Sequence, residues 1–164
     1  MHCTGPSKGY LTTEDRISPT SFYKPNLLGG SISFDVNISE TPCGCIASFY
    51  QVEMPARNGN GFVPGSDNDY YCDANGVGGS WCPEFDIMLA NNEFLYSAPH
   101  DCSAPDAGRY DWCDQAGTPA LHINSYEGLG TKGTKIETRR TFNVKVEYVR
   151  GADDILKEAT ITLT

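Results

Sequence analysis

The sequence predicts an all-β protein, an antiparallel β-sandwich of jelly-roll type. Three observations predict it. Several short segments alternate apolar and polar residues at period two. Gly- and Asn-rich stretches such as Arg57-Asn58-Gly59-Asn60-Gly61 and Asp73-Ala74-Asn75-Gly76-Val77-Gly78-Gly79 separate them. No segment carries a long apolar stripe at the helical period.

In chain order, Ile32 to Ile38 alternates strictly and predicts a strand with one buried and one wet face. Asn37-Ile38-Ser39 is an N-glycosylation sequon, and Asn37 falls on the polar side of this strand. Ile46 to Met54 and Phe85 to Leu89 are shorter strand candidates. Phe142 to Tyr148 alternates again, and Ala159 to Leu163 follows after the turn-like Gly151-Ala152-Asp153-Asp154. Asp153 to Glu158 has room for at most one turn of helix. Long loops are expected over much of 55–80 and 98–135, where binding groups usually sit on a rigid β-scaffold.

The 164 residues favour a single domain spanning 1–164. Formal net charge is −9, from 12 basic and 21 acidic side chains. Arg139-Arg140 is the one basic doublet, so no phosphate-binding surface and no nucleic-acid partner is expected. Neutral sugars suit an acidic surface, because stacking and hydrogen bonds bind them. No apolar run approaches the ~20 residues of a membrane helix, and the opening residues do not read as a signal peptide.

Seven cysteines, Cys3, Cys43, Cys45, Cys72, Cys82, Cys102 and Cys113, point to a disulfide-stabilised extracellular protein. A zinc site is the weaker reading: paired Cys-x-x-Cys knuckles are missing, and His2, His100 and His122 lie far apart. No metal or other cofactor is expected. The odd count leaves one thiol free or joined to another chain.

The chemistry concentrates in Glu84-Phe85-Asp86-Ile87-Met88-Leu89-Ala90-Asn91. In a strand Glu84 and Asp86 share a face, while Phe85 and Ile87 turn to the core. Neighbouring carboxylates raise each other's pKa. They are either two exposed acids on a solvated edge or a glycosidase nucleophile with its helper.

The segment Gly79 to Asn91 is similar to the active-site strand of family 7 glycoside hydrolases, the cellobiohydrolases and endoglucanases. Other segments resemble the family in the same order: Phe34-Asp35-Val36 through Thr41-Pro42-Cys43-Gly44, Phe49 to Met54, Tyr71-Cys72-Asp73, Pro99-His100-Asp101-Cys102, and Ser125 to Gly130 through Phe142 to Val146. The resemblance covers about residues 20–160. It implies a concanavalin-like sandwich, minimised and lacking C-terminal strands of the family. It also implies ancestry in a secreted β-1,4-glucan hydrolase.

The family pattern is Glu-x-Asp-x-x-Glu, for nucleophile, helper and acid/base. By position, Glu84 is the nucleophile and Asp86 its helper, but Leu89 occupies the acid/base position. Leucine cannot donate a proton, a contribution worth roughly 10²–10⁴-fold in rate. A relocated acid, Glu93 or Asp111, is the alternative in which an active enzyme survives. The resemblance also implies bridges Cys72–Cys82 and Cys102–Cys113. Cys43 loses its usual late partner, which Cys3 or Cys45 replaces.

Asp73 and His100 match cleft positions of the family. Trp112, Tyr71 and Tyr126 are candidate sugar platforms, whereas Trp81 reads as core packing. The expected partner is a β-glucan or cellulose-like polysaccharide. The expected function is glycan binding or a role as an extracellular structural subunit, with self-assembly through open sheet edges.

Overall fold

The computed structural model describes residues 7–65 and 67–164. Its strands are β1 (Ser31–Val36), β2 (Ala47–Val52), β3 (Arg57–Asn58), β4 (Gly61–Phe62), β5 (Glu84–Asn91), β6 (Phe94–His100), β7 (Leu121–Ile123), β8 (Leu129–Gly130), β9 (Ile136–Glu137), β10 (Phe142–Arg150) and β11 (Leu156–Leu163). There is no helix among the described residues, and Asp153 to Glu158 forms a turn that runs into β11.

Two antiparallel sheets, ordered β1-β10-β11 and β2-β5-β6-β7, form the sandwich. The alternation read in β1 and β10 is the physical reason for their burial pattern. Phe142, Val144, Val146 and Tyr148 point to the other sheet and are buried, while Asn143, Lys145 and Glu147 do not. They meet Ile87, Met88, Ala90 and Leu95 in one core. Phe34 and Phe49 pack between the sheets with ring centroids 4.3 Å apart. Tyr148 donates a hydrogen bond across the core to Gln51 Oε1 (2.7 Å). Burying these apolar side chains stabilises the fold by roughly 1.5–3 kcal/mol each.

A second, smaller core joins Ala56, Cys72, Cys82 and Tyr110, with Trp81 and Cys102 packed against it. The disulfides Cys72–Cys82 and Cys102–Cys113 tie down the loops around it. Trp81 is thus a packing residue. The expected bridge from Cys43 is not formed: Cys43 is an exposed free thiol. Cys43 lies in a turn closed by the Cys45 amide on the Pro42 carbonyl (2.9 Å). Cys45 is buried and is the disulfide-bonded cysteine of this turn. The expectation for Cys3 lies outside the described residues. Asn37 is exposed just past β1, its Oδ1 accepting from the Ser39 amide (3.1 Å) and hydroxyl (2.7 Å).

Candidate active site

β5 is central in its sheet, between β2 and β6. Asp86 lies opposite Tyr50 and Ala98, and Leu89 lies opposite Ser48 and Tyr96. On both neighbouring strands those partners are two residues apart, whereas Asp86 and Leu89 are three apart. β5 therefore holds one extra residue, a β-bulge over Ile87 and Met88, whose side chains are both buried in the core. The bulge re-phases the strand. Without it, an odd spacing would turn residue 89 toward the core. With it, Leu89 returns to the face of Glu84 and Asp86. Ser97 accommodates the kink, its hydroxyl donating to the Asp86 carbonyl (2.6 Å).

The outer face of this sheet thus carries three rows. Val52, Glu84 and His100 form the first, Tyr50, Asp86 and Ala98 the second, and Ser48, Leu89, Tyr96 and His122 the third. Glu84 accepts a hydrogen bond from the Ala74 amide at Oε2 (3.0 Å). Burial, above all, pushes its carboxyl up to about 7; the Ala74 amide opposes this, and the Asp86 and Asp73 charges add to it. Asp86 is 4% exposed, and burial raises its carboxyl too, against the pull of His100.

His100 Nε2 is 3.0 Å from Asp86 Oδ2, and Nδ1 is 2.8 Å from the Asp114 carbonyl. A carbonyl only accepts, so the proton on Nδ1 points to Asp114. Nε2 is thereby held facing the Asp86 carboxyl. Gly117 lets this wall come close: it has φ +72°, and a Cβ there would meet Ala98 Cβ at 2.5 Å.

Tyr71 donates to the Tyr50 hydroxyl (3.2 Å). Burial raises the Tyr50 phenol, with Glu84, Asp73 and Asp86 adding to the rise. Asp73 Oδ1 accepts from the Asn75 and Val77 amides, both at 3.0 Å, which shapes the loop that delivers Ala74 to Glu84. Tyr71, Asp73 and His100 are each 4% exposed and face protein partners. His100 bonds to Asp86, Tyr71 to Tyr50, and Asp73 to the loop that carries Ala74; the ring of Tyr71 is covered by Lys8 Nζ at 3.5 Å. Trp112 (57% exposed) and Tyr126 (95% exposed) present free rings, but on loops outside this hydrogen-bonded cluster.

Tyr50, Tyr96, Asp114 and His122 did not stand out in the sequence as part of the site. Tyr50 lies in Phe49 to Met54, one of the segments that resemble the family, which was a usable signal. His122 gave none, because its place follows from the pairing of β6 with β7.

Both alternative acids pair with other groups. Glu93 sits in the β5–β6 turn, accepting from Thr131 Oγ1 (2.9 Å), nine positions along from Glu84 and so roughly 20 Å or more away on an extended strand. Asp111 is an exposed partner of Arg109 at 3.2 Å. Among the described residues no cluster of three or more His, Cys, Asp and Glu side chains is arranged to hold a metal ion.

This β-sandwich, with Glu84 and Asp86 side by side on one sheet face, falls in the glycoside hydrolase class with the relatives it matches. The sequence is 32% identical to endoglucanase type C of Fusarium oxysporum over 154 residues, 76% of this chain and 36% of that protein. It is 30% identical to a probable endo-beta-1,4-glucanase, celB, of Aspergillus fumigatus, over 85% of this chain and 40% of that one. No family model matches. Among solved structures, endoglucanase I complexed with cellobiose matches with a TM-score of 0.66 and 30% identity, over 84% of this chain and 42% of that chain. A glycosynthase mutant of Humicola insolens Cel7B shares the fold with a TM-score of 0.67 at 23% identity, over 87% of this chain and 43% of that one.

The chain belongs to the family 7 glycoside hydrolases, as a shortened member. It spans less than half the length of the relatives it matches.

Proposed function

We propose that this chain binds β-1,4-glucan over the face carrying Glu84 and Asp86 and cleaves it poorly or not at all. Leu89 carries the proposal. In a retaining glycosidase one carboxylate attacks the anomeric carbon and a second, ~5–5.5 Å away, protonates the leaving oxygen. Glu84 is available for the first task, with Tyr50, Asp86 and the Ala74 amide around it. The place of the second carboxylate holds an isobutyl group. Glu93 and Asp111 are engaged elsewhere, which argues against a relocated acid.

Glucan as the ligand is supported by the names of the relatives and by the cellobiose-bound neighbour. An extracellular setting is supported by the disulfides, which persist in oxidising compartments. In such a setting the exposed Asn37 is free to carry a glycan.

The test is release of p-nitrophenol from its β-cellobioside and cleavage of cellotetraose. The proposal expects neither above background. Turnover by the wild type that disappears in Glu84→Gln would sink it.

The outer strand β11 supports an additional role in self-assembly. Its Ala159, Ile161 and Leu163 are only half-buried, beside fully buried Val144 and Val146 on β10. Monomeric sedimentation at millimolar concentration removes that reading.

A further inference from the structure

We infer that Leu89, Tyr96 and His122 form a stacking platform for one β-linked pyranose, occupying the ground that a proton donor would otherwise hold. The inference rests on the glucan-binding reading above and adds the residues that grip the sugar.

Three adjacent strands bring these side chains into one row. Leu89 on β5 is opposite Tyr96 on β6, and Tyr96 is opposite His122 on β7. The bulge in β5 sets Leu89 on the open face, so the row lies on the outer surface of the sheet. None of the three belongs to the hydrophobic core or to its packed shell. An apolar side chain and two rings therefore stand together without a structural task in the core.

The Tyr96 ring is fixed. Tyr96 donates its hydroxyl to the Ala116 carbonyl (2.5 Å), which anchors the phenol to the wall beside Asp86. Its ring meets His122 edge to face, centroids 4.9 Å apart at 64°. His122 is exposed, whereas Leu89 and Tyr96 are half-buried. A fixed ring loses little conformational freedom on binding, and an immobilised side chain otherwise costs about 0.5–1.5 kcal/mol.

The geometry fits a pyranose. The axial C–H bonds of a β-linked glucose form an apolar face that packs on rings and on aliphatic groups, while its equatorial hydroxyls stay free for polar partners. One such partner is in the next row, where the half-buried Tyr50 lies one step along the sheet. Ser48 continues the third row on the far side of Leu89. The row thus presents a hydrophobic strip bordered by the Tyr50 and Ser48 hydroxyls. That pattern suits a neutral sugar and does not suit an anion, which Glu84 and Asp86 would repel.

The test is isothermal titration of the full chain with cellotetraose, comparing wild type, His122→Ala and His122→Phe. His122 is exposed, so both variants are expected to keep the wild-type melting temperature. His122→Ala should weaken binding by roughly 3- to 10-fold, the size of one ring contact. His122→Phe should stay within about twofold of wild type, because phenyl stacks as imidazole does. Equal affinity in all three proteins overturns the platform and leaves glucan binding standing. Loss in both variants replaces stacking by a hydrogen bond from the imidazole and also overturns it. A wild type that binds no cellotetraose overturns the platform and the glucan-binding reading together.

Discussion

His100 Nε2 stands 3.0 Å from Asp86 Oδ2, with both side chains almost wholly buried. The imidazole spends its other nitrogen on the Asp114 carbonyl, so it links the catalytic-type strand to the wall formed by 114–118. Removing it strands a buried carboxyl. His100→Ala should cost about 2–4 kcal/mol of stability, measured by urea unfolding. It should also drive the Asp86 carboxyl further up, because His100 is what opposes the effect of burial. Carboxyl-carbon NMR titration reads that shift.

The raised carboxyl of Glu84 predicts a stability slope with a definite sign. Its ordinary value of 4.5 applies to the unfolded chain, and the folded value is about 7. Between these the folded protein holds more protons than the unfolded one, so stability falls as pH rises through that window. Glu84→Gln has no proton to lose and should flatten this part of the profile. Melting temperatures of the two proteins at pH 5 and pH 8 check it. A wild type that gains stability over Glu84→Gln on going to pH 8 would contradict the assignment.

Gly117 is required by both its backbone and its neighbours. Its φ of +72° disfavours a side chain, and a methyl group would press on Ala98 and on the Tyr96 hydroxyl. Gly117→Ala should destabilise by about 1–3 kcal/mol. The same titration calorimetry should show weaker sugar binding, as the wall moves off Tyr96.

Cys43 is exposed and unbridged, unlike the cysteines of the two loop disulfides. Iodoacetamide added to the native, unreduced protein should label Cys43. Cys72, Cys82, Cys102 and Cys113 should be labelled only after reduction, as read by peptide mass mapping.

Much of the fold was legible from periodicity, and the reason is physical. β1, β10 and β11 each bury one face, so their side chains alternate cleanly. β6 was hidden. Its sequence Phe94-Leu95-Tyr96-Ser97-Ala98-Pro99-His100 contains a proline and buries residues on both faces, because the 114–118 wall lies over Ala98. The carboxylate pair was legible as i and i+2 on a strand, and the resemblance marked Leu89 as the third position. The bulge that makes this position matter was not legible, since it is defined by partners on β2 and β6. Tyr71, Asp73 and His100 were legible as residues of the site, but their hydrogen bonds to Tyr50, the Asn75 and Val77 amides, and Asp86 were not. Residue type does not reveal which way a polar side chain is packed.

The account turns on Leu89, and one comparison tests it most directly. Cellotetraose hydrolysis is measured for wild type, Leu89→Glu and Glu84→Gln at pH 5 to 8. Background-level cleavage by wild type is predicted, with Leu89→Glu gaining roughly 10²-fold or more as a carboxyl returns to the leaving-group side. Wild-type cleavage that Glu84→Gln abolishes and Leu89→Glu does not improve would contradict it.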